Sequence, residues 1–365
     1  MKKLNPEKKT FHHNAGVMRW RNALKRKDKK YLAHRPRVVR NVLGQDVIVA
    51  PEYISIYELG GVLSPYFKTM NFINQIYERY RVRNCLVDFS GTKGFSAAAL
   101  VVVYAAIEKA GSGRKGRANI AFSLKSPAVN KTIKSSNLLK LIRGHDISYS
   151  LDSARSMPII SSVGSEQMEE IIDYIQRRIF KDKMSPATEH IYGDAVSETI
   201  NNVRLHAYPD TPLDEKRWWL MCSTFGKKLF LAIYDYGVGI PNTVVRQSWF
   251  FPLMKYANPD EYQRLVEEIP ELESPGFSVL VPKHIPDERL IYYSMQSDVS
   301  GTKQEKHGQG SKSIKALVND TDDGLLWVFS NNGLYTFSAE DQKPGEAKLK
   351  KSFPGTLVQW NIEIS

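Results

Sequence analysis

Ala195-Val-Ser-Glu-Thr-Ile-Asn-Asn-Val-Arg-Leu-His-Ala-Tyr208 reads as a helix carrying Glu198, Asn202 and His206 at steps of four. Each such step drifts only about 40° round an α-helix, so the three polar side chains form one stripe. Val196, Ile200, Val203 and Leu205 supply apolar surface on other faces. A carboxylate one turn before a carboxamide suits nucleotide chemistry. The carboxylate orients or deprotonates a nucleophile, and the amide oxygen is a hard ligand for Mg²⁺. Many solvated helices share this spacing, so the motifs downstream decide the reading.

Residues 218–225 and 228–234 predict a β-hairpin around Gly226, running into Tyr234-Asp-Tyr-Gly-Val-Gly-Ile-Pro241. Asp-x-Gly-x-Gly after a strand places a carboxylate at the strand end, beside glycines that let a ligand approach the backbone. Such an Asp accepts a hydrogen bond from an exocyclic amine such as that of adenine; the plainer alternative is a glycine-rich turn. Further on stands His307-Gly-Gln-Gly-Ser-Lys-Ser-Ile-Lys-Ala-Leu-Val318. Glycines opening a helix present bare N–H groups at a positive dipole end, a seat for phosphate, with Ser311, Lys312 and Lys306 at hand. Residues 325–330 and 333–338 flank Asn331-Asn332, a hairpin signal. The strand that follows alternates Trp360, Ile362 and Ile364 with Gln359, Asn361 and Glu363, which predicts one buried face.

The order Glu198…Asn202…His206, Asp235-x-Gly237-x-Gly239-Ile240-Pro241, Gly308-x-Gly310 and Gly355-Thr356 resembles the GHKL ATPases, with a local spelling nearest the anti-sigma serine kinases. The resemblance covers residues 155–365 and implies a Bergerat-type α/β sandwich: a mixed, mostly antiparallel sheet covered by helices on one face. It implies Glu198 as the catalytic base and Asn202 as the Mg²⁺ ligand, with Asn201 as a substitute. Asp235 would hold the adenine amino group, helped through water by Thr356. Gly237 and Gly239 would shape the pocket floor; Gly308 and Gly310 would close over the phosphates, with Ser311 and Lys312 beside them; and His206 would take a phosphate-edge or structural role. The family's Gly-x-Gly-Leu-Gly is here Gly308-Gln-Gly310-Ser-Lys312. Residues 242–307 make a long ATP lid with a helix expected at 259–269 and three aromatics, Trp249, Phe250 and Phe251, that are lid core or a partner surface.

Upstream, residues 47–51, 85–90 and 118–124 predict strands, and residues 67–81, 96–110 and 130–141 predict helices, an α/β layer pattern. Residues 165–181 predict a further helix, acidic early and basic late. Val87-Asp-Phe-Ser-Gly91, leading through Phe95-Ser-Ala-Ala-Ala-Leu100 into a helix, resembles the STAS family, the fold of anti-anti-sigma factors. Regulated STAS proteins carry a phosphoacceptor Ser followed by Gly-Leu, whereas this chain has Ala97, Ala98 and Ala99, with Ser96 in the preceding position. A docking or scaffolding role is the expectation. The chain thus divides into a basic arm (1–45), a STAS-like α/β domain (46–154) and a GHKL domain (155–365).

The basic charge is concentrated at one end. Residues 1–40 carry fourteen Lys or Arg against Glu7 and Asp28, which accounts for the whole formal net charge of +12. Val17, Trp20, Leu24 and Tyr31 recur there at roughly helical spacing among the bases, a pattern for nucleic acid or an acidic partner, set against a solvated tail. The longest apolar run, residues 97–107, falls short of the ~20 residues a membrane span needs. No apolar segment of secretory type follows the basic start. Cys85 and Cys222 lie in apolar runs and read as buried thiols of a cytoplasmic protein.

The reading these features favour is a Mg-ATP-hydrolysing switch, with a protein partner or a homodimer formed through the lid or the STAS-like domain. The alternatives are an anti-sigma-like serine/threonine kinase and an ATP-dependent interaction module without hydrolysis. A histidine kinase would need a His on a two-helix hairpin just upstream, where only one clear helix is predicted.

Overall fold

The computed structural model describes residues 41–42, 44–112, 118–145, 147, 151, 154, 157–165, 167–268, 285–296, 309–321 and 323–364, and within the arm residues 8, 13–16 and 18–19. Residues 1–40 form a unit of their own and residues 41–365 a second. The arm's expected stripe, the lid segments 269–284 and 297–308, and with them Gly308, Lys306 and His307, lie outside the described residues.

The second unit is mixed α/β. Its first half contains β1 (Asn41–Val42), β2 (Gln45–Val49), β3 (Tyr53–Ile54), α1 (Pro65–Gln75), β4 (Cys85–Asp88), β5 (Gly94–Phe95), α2 (Ala97–Gly111), β6 (Asn119–Ala121), α3 (Pro127–Ser135) and α4 (Leu138–Ile142). The sheet order is β1-β2-β4-β6. The β2–β4 and β4–β6 pairs are parallel, so α1 and α2 serve as the crossovers parallel pairing requires. Ser64 and Ser96 cap α1 and α2 through the N–H groups of Phe67 and Ala99. The single helix expected over residues 130–141 is two, because Asn137 sits at φ 65° and breaks the ladder between them.

The second half contains β7 (Ile160–Val163), α5 (Met168–Tyr174), α6 (Pro186–Asn202), β8 (Arg217–Phe225), β9 (Lys228–Asp235), α7 (Ile240–Val244), α8 (Phe250–Ala257), α9 (Pro259–Glu268), α10 (Asp287–Met295), α11 (Gln309–Asn319), β10 (Leu325–Ser338) and β11 (Pro344–Glu363). Five strands run in the order β10-β11-β9-β8-β7, each neighbouring pair antiparallel. The hairpin expected at Asn331-Asn332 is absent: β10 runs straight through, with register shifts on either side of Asn331. Asn331 takes φ 52° as a bulge residue. The N–H and side-chain amide of Asn332 both donate to Asp287 on α10, at 2.8 and 2.9 Å. The pair therefore ties the sheet to α10 instead of reversing the chain.

Successive residues of a strand point to opposite faces, and here both faces are buried. Trp218, Leu220, Leu231, Ile233, Trp360 and Ile362 enter one core with residues of α5, α6 and α11. Trp219, Met221, Ala232, Tyr234, Phe353 and Leu357 enter another with nearly all of α2 and with Tyr66, Met70 and Ile73 of α1. The opposite face of β11, expected in solvent, is thus sealed by the first half. Gln359 is 0 % exposed, and its polar ends are satisfied there: it accepts from the Tyr57 hydroxyl and donates to Asn361 at 2.7 Å. Trp219 and Ser161 both donate to Glu108 of α2, and the Tyr66 hydroxyl donates to the Lys351 carbonyl at 2.7 Å. These bonds satisfy the polar groups stranded between two apolar layers.

Both cysteines are buried thiols. Among the described residues, no helix is long and apolar enough to cross a membrane.

Candidate functional site

α6 starts where Ser185 accepts from the Thr188 N–H at 3.1 Å and Pro186 fills the first turn. It buries Tyr192, Ala195, Val196, Thr199 and Ile200. The 3.6-residue period leaves Glu198 and Asn202 half-buried on another side, where the Asn202 carboxamide donates to the Glu198 carboxylate. The α-helix ends at Asn202, short of the expected Tyr208, and a π-helical turn, Val203–Ala207, follows. The wider turn rotates Leu205 off the core, so this residue, expected as apolar packing, is 67 % exposed. The same turn frees the Ala207 carbonyl to accept from the Val238 N–H at 2.9 Å.

That bond fixes the loop after β9. Asp235 ends β9, and its carboxylate accepts from the Gly237 N–H at 2.8 Å. Opposite it in register stands Thr356, which pairs in turn with Ser330 of β10. The Ser330 hydroxyl accepts from the Ile240 N–H at 2.9 Å and lies 3.1 Å from the Thr356 hydroxyl. Two glycines have no substitute here. Gly239 takes φ +88°, and a Cβ there would sit 1.6 Å from Asn331 Oδ1. Gly355 takes φ +78°, and its Cβ would sit 2.0 Å from the Asp235 carbonyl oxygen. At Gly237 the obstruction is the Ala207 carbonyl oxygen, 2.2 Å from where a Cβ would be.

These elements enclose a cavity of about 410 Å³, within the range of small-molecule sites. Glu198, Asn202 and His206 line it from α6 and its π turn, and Asp235 and Gly239 from the β9 loop. Gly310 and Ser311 line it from α11, and Thr356 from β11. Gly310 is a point of close approach, since a Cβ on it would lie 2.3 Å from Glu198 Oε1. Three expected residues stand elsewhere. Gly237 does not line the cavity. Lys312 is exposed on the first turn of α11 and does not line the cavity. Asn201 turns its side chain to accept from Arg204 at 3.2 Å, leaving Asn202 as the amide on the wall.

The electrostatics divide the lining residues. Burial pushes the Asp235 carboxyl up to about 7, although the N–H groups of Gly237 and Thr356 and the Lys109 ammonium pull it down. Burial also raises Glu198, against the hydrogen bond from Asn202, and Asp194 adds to the rise. A raised carboxyl is a better base than an ordinary one. His206 is lowered by burial and by Lys216, which favours its neutral form.

Comparison with protein families finds no family model that matches this chain, and comparison with curated proteins finds no match. The site therefore rests on its own geometry.

Several lining residues escaped the sequence reading. Ile233, Val328 and Val358 make apolar wall from three strands, and Met295 comes from α10 and Trp249 from the start of α8. In sequence they are ordinary strand and helix apolars with nothing to mark them. Of the aromatics at 249–251, Phe250 is 0 % exposed and centres a core with Val244, Met254, Leu265 and Tyr293. The helix expected at 259–269 is α9, which ends at Glu268; Ile269 lies outside the described residues.

Proposed function

We propose that this chain is a Mg-ATP-dependent ATPase of the GHKL type, working as a nucleotide-gated switch, with its first half a STAS-like domain. The observation that carries the reading is the convergence in one cavity of Glu198, Asn202, Asp235, Gly239, Gly310 and Thr356, drawn from α6, the β9 loop, α11 and β11. The antiparallel sheet with α6 and α11 on one face supports a Bergerat-type sandwich. The parallel β2-β4-β6 arrangement with α1 and α2 as crossovers supports the STAS-like half.

In this reading Asp235, ionised, accepts the exocyclic amine of adenine, and the Thr356 hydroxyl beside it orders the same edge. The apolar walls from Ile233, Val328 and Val358 take the base faces. Glu198 orients and deprotonates the attacking water. Asn202 fits Mg²⁺, being a hard amide oxygen donor whose N–H end is already engaged by Glu198. An ion held by one protein oxygen, phosphates and waters suits Mg²⁺ better than an all-protein cage, and among the described residues no His/Cys/Asp/Glu cluster offers such a cage. When bound, the ion neutralises developing phosphate charge.

The test is ATP binding and turnover for the parent chain and for Glu198→Ala. Turnover is expected to fall at least about 100-fold with binding retained; unchanged turnover removes Glu198 from the chemistry. Radiolabel transferred from ATP to protein in the same assay would establish the kinase alternative. The Ser96 hydroxyl caps its own helix, which disfavours phosphorylation of the attached domain. Removing residues 1–40 should abolish any stimulation of turnover by DNA or RNA, a stimulation expected to fade steeply with salt.

A further inference from the structure

In the first half, the helical layer that follows β6 carries charge that nothing in the fold answers. Residues 118–145 hold five Lys or Arg and no Asp or Glu. Lys125, Lys131, Lys134, Lys140 and Arg143 are all exposed, and none of them forms an ion pair among the described residues. The field of Lys125 reaches Glu52, but Lys93 already pairs with that carboxylate. Lys131 and Lys134 stand three apart on α3, and Lys140 and Arg143 three apart on α4 and its C-terminal cap. Each pair sets like charges side by side, which a helix gains nothing from. The helix dipole welcomes a cation in a last turn, which accounts for Lys134, Lys140 and Arg143 one at a time. It does not account for Lys125 ahead of α3, for Lys131, or for the lack of any balancing carboxylate.

We propose that α3, α4 and the turn ahead of α3 form a docking surface for double-helical DNA, taken through its phosphates with no reading of sequence. The surface belongs to the second unit, apart from the basic arm, and owes nothing to the ATP reading.

The residue types narrow the partner to that class. A protein interface needs an apolar centre, and a membrane-surface helix needs an apolar face turned outward. Here Val129, Ile133, Leu138 and Ile142 all point into the core, and no large apolar side chain of residues 125–145 is exposed. Unpaired bases need aromatic platforms, yet the nearby Phe122 is half-buried with the Lys134 ammonium 5.5 Å from its ring centroid. Duplex RNA is held partly through its 2′-hydroxyls, and the polar groups suited to that task are engaged elsewhere. Asn130 accepts from the Ser123 N–H and donates to the Ser123 carbonyl, both at 2.8 Å. The Ser123 hydroxyl donates to the Thr92 carbonyl at 2.6 Å, and the Ser126 hydroxyl caps α3 by accepting from the Val129 N–H at 3.3 Å. Ammonium and guanidinium groups on a locked backbone remain, and these neutralise duplex phosphates and release their counterions. The same bonds fix the layer before any partner arrives, so binding orders side chains and not backbone.

The test measures binding of a short fluorescent DNA duplex by anisotropy, on the full chain, across about 50 to 200 mM salt. Lys131→Gln, Lys134→Gln and Lys140→Gln are combined in one variant. Lys343→Gln, Lys348→Gln and Lys350→Gln, at exposed positions of the second half, make a control with the same loss of charge. The arm is present in every sample, so its contribution cancels in the differences. Each lost phosphate contact flattens the slope of log Kd against log salt by about 0.9, so the first variant should flatten it by roughly 2.7. Affinity at about 100 mM salt should fall at least about tenfold, and arginine at the same three positions should restore it. The control should keep the parent slope. An unchanged slope in the first variant, or an equal loss in both, overturns the proposal. So does equal or tighter binding, through the same three lysines, of poly-glutamate, of phosphatidylserine vesicles, or of single-stranded DNA or duplex RNA of the same length.

Discussion

Replacing Asp235 by asparagine is expected to stabilise the fold at pH 8 while removing the carboxylate the ligand needs. The folded chain holds the Asp235 proton up to about 7, whereas an ordinary carboxyl of this type releases it at 3.8. Between those values the folded state binds more protons than the unfolded one, so this group's contribution to stability is full below the lower value and is lost as pH rises through the upper. Each factor of ten in that equilibrium is about 1.36 kcal/mol, so carrying the ionised group costs the fold roughly 4 kcal/mol at pH 8. Asparagine escapes this cost but keeps one acceptor oxygen for the N–H groups of Gly237 and Thr356, a loss of roughly 1–2 kcal/mol. The net gain at pH 8 is therefore about 2–3 kcal/mol, vanishing or reversing at pH 4. Urea unfolding of both proteins at pH 4, 5, 6, 7 and 8 reads the difference, and the other titrating groups cancel because both chains share them. A difference that does not change with pH, or a variant less stable than the parent at pH 8, would refute the reasoning. ADP titration of the same samples should show affinity lost by at least about tenfold in the stabilised protein.

Three further outcomes follow from the site and the lid. Gly310→Ala places a Cβ 2.3 Å from Glu198 Oε1 and should displace that carboxylate, cutting turnover by about 10- to 100-fold with ADP affinity nearly unchanged; equal losses in both would mean that Gly310 shapes binding instead. Gly239→Ala combines a positive φ with a Cβ 1.6 Å from Asn331 Oδ1 and should cost roughly 2–4 kcal/mol in urea unfolding, whereas a variant as stable as the parent would show that the bulge at Asn331 yields easily. Arg289→Met removes pairs to Glu261 at 3.3 Å and Glu346 at 2.9 Å, on side chains exposed by 28 %, 13 % and 25 %. Partial solvent screening lowers the expected cost to about 2 kcal/mol, and a change below about 0.3 kcal/mol would reduce the cluster to a surface ornament.

What the sequence disclosed depended on the range of the interaction. Local signals read well: the turn at Gly226, and the four-step stripe that brings Glu198 and Asn202 to one wall. Signals that depend on a distant partner did not. Asn331-Asn332 has turn chemistry, yet Asp287 and Gly239, far away in sequence, use it as a bulge. The alternation in β11 suggested one wet face because Gln359 and Asn361 are polar, and nothing near them announces Tyr57 or α2. Residues 130–141 carry a helical stripe, but one asparagine in the left-handed region divides it. Lys109 drew no notice within an apolar helix because its ring partner, Tyr236, meets it only once the sheet is built.

Because the central sheet is sealed on both sides, the two halves of residues 41–365 share one buried core. The Tyr57–Gln359 and Tyr66–Lys351 bonds join residues 302 and 285 positions apart. The chain must therefore close very large loops before its most apolar surfaces find cover. Pairings of such long range imply slow folding, and until α2 docks the apolar side chains of Trp219, Tyr234 and Phe353 lack their cover. A cell making this protein meets its greatest aggregation hazard then, and a helper that shields that surface until α2 docks would raise the yield more than any change within the ligand site.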